Sequence, residues 1–234
     1  TLSNVSMKSL AVHIGSQLLE LSPYKSAYEK IAEMTRYLRS TGHEISHLDL
    51  GGGLGIPYSD ESLADLNAYN QIISETVGGL DCKLSIEPGR YLVGEAGILI
   101  TRVIYIKQGE QKKFVIVDGA MNDLIRPTLY DGFHAIVPVT EKSLSSQKSL
   151  CDVVGPICES GDYFAKDRML PEVSQNDLLA ITCSGAYGAV MASNYNSRPL
   201  IPEVLVSNDV FSVIRERQAF EKIIQDEKLA AWLQ

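Results

Sequence analysis

Residues 48–58 read LDLGGGLGIPY. Four glycines, Gly51, Gly52, Gly53 and Gly55, follow a short apolar run with the character of a strand. Glycine loses more conformational freedom on folding than any other residue, so such a tract implies backbone that bends sharply or approaches something closely. Backbone N–H groups in a tract of this kind commonly face an anion. A nucleoside-triphosphate P-loop does not fit, because no Gly-Lys-Ser/Thr follows. The dinucleotide fingerprint GxGxxG fits in part: Gly51 and Gly53 supply two positions, Ile56 occupies the third, and Glu87 mimics the ribose-binding acid. In that motif, however, the helix begins at the glycines, whereas here Pro57-Tyr58-Ser59-Asp60 intervenes. Two other readings stay open: a plain turn between strand and helix, or a monophosphate site at the C-terminal end of a parallel strand.

Outward from the tract the chain alternates strand and helix. SLAVHIG (9–15), ISHLDL (45–50) and CKLSIEPGR (82–90) read as strands, the last closed by Pro88-Gly89. SAYEKIAEMTRYLRSTG (26–42) and ESLADLNAYNQIISETVGG (61–79) carry apolar residues at helical spacing and end in glycine. This order implies parallel strands joined by crossover helices. Near residue 98 the pattern changes. ILITRVIYIKQ, KKFVIVDGA, HAIVPVT, DLLAITCSGAY and LIPEVLVSN are β-rich runs, which predict an antiparallel β domain. FSVIRERQAFEKIIQDEKLAAWL (211–233) is expected to close the chain as a helix. The expected division is residues 1–98 and 99–234. Three parallel strands need cover on both faces and edges, so the first part reads as a fragment of a larger α/β unit, with its N-terminal half elsewhere.

Composition narrows the function classes. Apolar residues make up 45% of the 234 and the net charge is −8, which suits a globular protein with an ample core and disfavours nucleic acid as a partner. No apolar run is long enough for a membrane span, and the N-terminus lacks a signal-peptide core. Cys82, Cys151, Cys158 and Cys183 are too few for a disulfide scaffold, and without CxxC or HExxH no metal site is expected. A cytoplasmic location is the default expectation.

Chemistry in parallel α/β folds gathers at the C-terminal ends of strands. The three ends here carry His13 with Gly15-Ser16, the glycine tract, and Glu87-Pro88-Gly89-Arg90. Downstream, Arg126 and Tyr130 stand four apart in RPTLY, and Pro127 can open a helical turn that puts both on one face, where they could hold a carboxylate. Cys158 and Glu159 lie in GPICESGD, a loop by composition.

HIGSQ, LDLGGGLGIPY and IEPGR together resemble the second half of the barrel in the fold-type III pyridoxal-phosphate decarboxylases. MNDLIRPTLYDGFH, GPICESGD and CSGAYGAVMASNYNSRP resemble specifically the diaminopimelate decarboxylases of that group. The resemblance runs from about residue 10 to about residue 220. It implies the C-terminal part of a (β/α)8 TIM-like barrel followed by an antiparallel β domain, as in alanine racemase and ornithine decarboxylase. It implies pyridoxal 5′-phosphate as cofactor, with the phosphate at Gly51, Gly52, Gly53 and Gly55, a hydroxyl from Ser16, and Pro88, Gly89 and Arg90 alongside. His13 would stack on the pyridine ring, and Glu87 would keep its nitrogen protonated so that the ring accepts the electrons left by departing CO2.

The resemblance further assigns Arg90, Arg126 and Tyr130 to the distal carboxylate of meso-2,6-diaminopimelate, Glu159 to its distal ammonium, and Tyr187 to both cofactor and substrate. Cys158 would reprotonate the α-carbon, which with His13 makes up the catalytic pair. The product would be L-lysine, the last step of its biosynthesis. The site would be shared across a homodimer, the Cys158 loop coming from the second subunit. The Schiff-base lysine has no match. Lys8 and Lys83 sit at strand starts, the wrong end, so the lysine is expected upstream and the chain alone is expected to be inactive. Related readings are decarboxylation of carboxynorspermidine, ornithine or arginine, and a non-catalytic cofactor-binding fragment.

Overall fold

A computed structural model describes residues 4–144 and 146–233. It divides into two compact units, the first ending at Gly97 and the second beginning at Ile98.

In the first unit, β1 (Ser9–Ala11) leads to α1 (Ser22–Ser40), β2 (His47–Gly52), α2 (Leu66–Thr76), β3 (Lys83–Glu87) and the short α3 (Gly89–Val93). The strands form a parallel sheet in the order β1-β2-β3. α1 buries Tyr24, Ala27, Tyr28, Ile31, Ala32 and Thr35, one stripe at 3.6-residue period. That stripe packs with Ile45, Leu48 and Leu50 of the strand segment and with Tyr69 of α2 in one apolar core. α2 starts later than its periodicity suggests. Asp65 accepts from the N–H of Asn67 at 2.8 Å and caps it, while Glu61 binds back to the N–H groups of Tyr58 and Ser59. β1 is also shorter than expected: beyond Ala11 only single bonds continue the pairing, such as Val12 N–H to Asp49 O at 2.9 Å.

The second unit runs β4 (Leu99–Gln108), β5 (Lys113–Val117), α4 (Arg126–Tyr130), β6 (Ile136–Pro138), α5 (Glu141–Leu144), β7 (Lys148–Val154), β8 (Tyr163–Pro171), β9 (Leu178–Ile181), β10 (Glu203–Ser207), β11 (Val210–Arg215) and α6 (Glu221–Ile224). Six strands form one sheet in the order β6-β9-β4-β5-β7-β8. β4 holds it together, pairing with β9 over Leu99–Arg102 and with β5 over Val103–Gln108. The sheet curls: Arg168 of β8 donates to the carbonyl of His134, just before β6, at 2.8 Å, so the two edge strands meet. Val103, Val115, Val117, Val153, Leu179 and Ile181 are among the residues that fill its inside.

Two expectations are corrected. The sheet is not wholly antiparallel, because β5 and β7 pair in parallel. The segment from residue 211 is not a helix. Val210–Arg215 pairs with Glu203–Ser207 as a hairpin across Asn208-Asp209, with Asn208 left-handed at φ 51°. β-branched Val213 and Ile214 suit a strand once EVLVS is beside them, and only one helical turn, α6, and a 3-10 turn follow. β7 and β8 had no counterpart among the expected strands.

Candidate functional site

In the first unit, the glycine tract is wedged between neighbouring strands. A Cβ on Gly51 would stand 2.1 Å from the Val12 carbonyl oxygen, and one on Gly52 would stand 2.1 Å from that of Glu87. Gly51 is left-handed as well, at φ 69°. Close strand approach is therefore what excludes side chains here. The sheet register slips between Asp49 and Gly52 at the same point. Gly51 donates to Asp49 Oδ1 at 2.9 Å and Gly55 to Leu18 O at 3.0 Å. The N–H of Gly52 is directed at His13 Nδ1, 3.5 Å away, while Gly52 is also the register partner of Glu87. The His13 imidazole and the backbone of Glu87 thus converge on Gly52, and His13 and Glu87 are both exposed residues.

Three buried tyrosines brace the tract from the helix side. Tyr24 donates to Gly52 O at 3.3 Å and Tyr28 to Leu50 O at 3.2 Å, with the hydroxyls of Tyr28 and Tyr69 2.7 Å apart. Burial, and then the neighbouring Tyr69, push the Tyr24 phenol up to about 12; burial pushes the Tyr28 phenol up as well. Ser16 and Arg90 are brought together: the guanidinium donates to Ser16 Oγ at 3.1 Å and to the Tyr58 hydroxyl, and lies over the Tyr58 ring at 5.6 Å. Pro88 stands at the N-terminal end of α3, whose first turn has no side-chain cap.

In the second unit, RPTLY forms α4 as expected, but its two candidate residues differ in environment: Arg126 is 7% exposed and Tyr130 is 62% exposed. Arg126 Nη1 lies 2.8 Å from His134 Nε2. The loop GPICESGD is built on Asp162, whose carboxylate accepts from Met121 N–H at 2.7 Å and Ile157 N–H at 2.6 Å. Burial raises the Asp162 pKa, against the lowering effect of those N–H bonds. Gly155 has to be glycine, because a Cβ there would stand 2.4 Å from this carboxylate. Thr128 of α4 donates to Gly161 O, joining RPTLY to the loop. Cys158 and Glu159 sit exposed near its tip, and Tyr195 donates to Glu159 at 3.3 Å. The negative charge of Glu159 raises the Tyr195 phenol. Arg198 ties the NYNSRP segment to MND through Asn122 Oδ1 at 2.9 Å and Asp118 O at 2.6 Å. Tyr187, in SGAYG, is left-handed at φ 58°, a conformation uncommon for a bulky residue.

The structure thus groups the candidates into two sets, His13, Ser16, the tract, Glu87 and Arg90 in one unit, Arg126, Tyr130, Cys158, Glu159 and Tyr187 in the other. Tyr24, Tyr28, Tyr58, Tyr69, Asp162 and Tyr195 were not singled out by sequence. Tyr58, Asp162 and Tyr195 carried a signal, since each lies in a motif that had been. Among the described residues no group of three or more His, Cys, Asp or Glu side chains gathers as a metal cluster, and no helix is long and apolar enough to cross a membrane.

A family model described as "Pyridoxal-dependent decarboxylase, C-terminal sheet domain" matches residues 22–185. Diaminopimelate decarboxylase of Zymomonas mobilis is 46% identical over 98% of this chain, which spans 54% of that relative. The crystal structure of diaminopimelate decarboxylase from Helicobacter pylori, complexed with L-lysine, superposes with a TM-score of 0.90 at 45% identity, covering 95% of this chain and 55% of that one. SrLDC, solved with PLP and cadaverine, superposes with a TM-score of 0.74 at 27% identity, over 83% of this chain and 51% of that one. The chain spans about half the length of the curated relatives it matches. With the matched residues covering both units, the chain belongs to the pyridoxal-dependent decarboxylase family.

Proposed function

We propose that this chain forms the C-terminal part of a diaminopimelate decarboxylase, the first unit being the second half of a TIM-like (β/α)8 barrel and the second its β domain. The reaction is loss of CO2 from meso-2,6-diaminopimelate to give L-lysine. The observation that carries this reading is the convergence on Gly52, where the His13 imidazole, a close-packed glycine tract and the strand end bearing Glu87 come together. That donor set suits a phosphorylated pyridine. His13 offers a flat ring to stack on it, and Glu87 offers a carboxylate to its nitrogen. The phosphate would be held by the glycine tract, by the Gly89 N–H and by the Ser16 hydroxyl. Gly51 serves by letting the strands close up and Gly55 by letting the segment at Gln17–Leu19 approach, their N–H groups being engaged within the protein. Pyridoxal 5′-phosphate, when bound, withdraws the electron pair left on the α-carbon as CO2 departs.

The remaining groups act on substrate. Arg126, with Tyr130, holds the distal carboxylate, and Glu159 holds the distal ammonium. Tyr195 restrains Glu159 at 3.3 Å. Cys158 delivers the proton to the α-carbon. The left-handed backbone of Tyr187 is the kind of local strain that collects at binding sites. The exposure of Cys158 and Glu159 supports a loop donated to the site of a second subunit in a homodimer.

Release of CO2 from meso-diaminopimelate by the full-length polypeptide tests the reading, with and without pyridoxal phosphate and with ornithine, arginine and lysine as controls. Cofactor-dependent release from diaminopimelate alone is expected. Release from ornithine, arginine or lysine instead would reassign the substrate, and bound cofactor without release would point to a non-catalytic module. Mixing a His13→Ala variant with a Cys158→Ala variant should restore part of the lost activity if subunits share sites.

A further inference from the structure

The loop bearing Cys158 and Glu159 and the NYNSRP segment are fixed to one short element, Met121-Asn122-Asp123. Met121 donates its N–H to Asp162 Oδ1 at 2.7 Å, which anchors the loop. Asn122, buried beside it, holds the segment. Its carbonyl accepts from Ser193 N–H at 3.0 Å, its amide donates to Ser193 O at 3.1 Å, and its Oδ1 accepts from Arg198 Nε at 2.9 Å. Arg198 also lies 3.7 Å from buried Asp123. Between these two anchors the chain turns tightly. Asn196 and Ser197 are left-handed at φ 59° and 54°, and the Asn194 amide donates to Arg198 O at 2.8 Å. Left-handed backbone is costly for residues other than glycine, so two in succession persist only where the surroundings hold them.

This turn carries Tyr195. Its hydroxyl donates to Glu159 Oε2 at 3.3 Å, while the Gly161 N–H donates to Oε1 at 3.2 Å. The carboxylate is therefore held at both oxygens, by two segments that share one base. Both donors are uncharged, so they direct the carboxylate without cancelling its charge. That same charge raises the Tyr195 phenol, so the hydroxyl keeps the proton it donates. A carboxylate already set in one direction loses less freedom when an ammonium arrives. We infer that Tyr195 is a positioning residue, which turns Glu159 toward the distal ammonium of the substrate and so sets the preference for substrates that carry one. This rests on the reading of Glu159 given above.

The test is steady-state kinetics of the full-length polypeptide on meso-diaminopimelate, with pyridoxal phosphate content and circular dichroism as folding checks. Racemic 2-aminopimelate, which keeps the distal carboxylate and lacks the distal ammonium, serves as a competitive inhibitor. Tyr195→Phe keeps the ring and removes the donor. It should raise KM for diaminopimelate about fivefold or more, with kcat within about threefold. Its inhibition constant for 2-aminopimelate should stay within about twofold of the wild type. In a Glu159→Gln background, Tyr195→Phe should add less than about twofold to KM, because its effect passes through the carboxylate.

If Glu159→Gln raises KM and Tyr195→Phe does not, the inference about Tyr195 is overturned while the reading of Glu159 stands. If Glu159→Gln itself leaves KM unchanged, the reading of Glu159 fails. A fall in kcat at unchanged KM would place Tyr195 with Cys158 instead and overturn the inference. Equal weakening of diaminopimelate and 2-aminopimelate would reduce Tyr195 to a structural role. Should 2-aminopimelate not inhibit the wild type, the Glu159→Gln background decides, and a full further loss there would overturn the inference.

Discussion

The two sets of candidate residues are supported in opposite ways. In the first unit the support is steric: the tract works because Gly51 and Gly52 lack a Cβ where neighbouring carbonyls stand 2.1 Å from its position. In the second unit the support is a side chain. Asp162 reaches in and collects the N–H groups of Met121 and Ile157, and the loop bearing Cys158 and Glu159 folds around that carboxylate. A steric support tolerates no addition, whereas a polar support tolerates no subtraction. The fold therefore guards its two halves against different kinds of change.

The largest effect should come from adding an atom group to the tract. Gly51→Ala brings both a backbone collision and a left-handed φ, and should destabilise by about 3 kcal/mol or more in denaturant unfolding. A near-neutral result would mean that the close strand approach is not maintained in solution. Next is subtraction at the loop. Asp162→Ala leaves two inward N–H groups without their acceptor and should lose about 2–3 kcal/mol. Asp162→Asn, which keeps one acceptor oxygen, should lose less. If Ala and Asn behaved alike, the carboxylate would not be the loop's anchor.

A smaller effect is expected behind the tract. Tyr28→Phe removes one hydroxyl from a braced pair and should lose about 1 kcal/mol. The same tyrosines predict a pH dependence with a definite sign. Burial favours the neutral phenol and raises the Tyr24 pKa from 10.0 to about 12. Its contribution is fully present below pH 10 and is lost as pH rises through about 12. Tyrosinate absorbance followed alongside unfolding would check this, and ionisation of all tyrosines near pH 10 without unfolding would contradict it. The smallest effect on stability belongs to Cys158→Ala, an exposed position, within about 0.5 kcal/mol. Its turnover should nevertheless fall far more than its cofactor binding. Equal losses in both would remove Cys158 from the proton-donor role.

How much of this could be read in advance depended on how local the cause was. α1 was legible because its buried stripe, Tyr24 to Thr35, lies within one helix. The tract and the strand ends were legible as motifs, but the reason for the glycines was not. Glycine spacing hints at an anion, whereas the atoms that forbid a Cβ belong to Val12, just past β1, and to Glu87 of β3, distant in sequence. β7 escaped notice because Cys151, Asp152 and Val153 are all buried, so no alternation marks the strand. FSVIR misled because its apolar spacing suits a helix until EVLVS pairs with it. His134 could not be connected to Arg126 from spacing alone, since the link passes through a left-handed Asp131 and the far carbonyl of Thr182.

β4 carries a further consequence. One end of it pairs with β9, which leads into Thr182 and Tyr187; the other pairs with β5, whose other neighbour, β7, leads into the Asp162 loop. β4 already accommodates one extra residue, in the irregularity between Val103 and Tyr105, so a further insertion or deletion would shift one end against the other. The strand thus acts as a ruler that sets the spacing between the Tyr187 segment and the Cys158 loop. Length changes should be accepted in the turn between β4 and β5, around Gly109, and refused between Leu99 and Gln108.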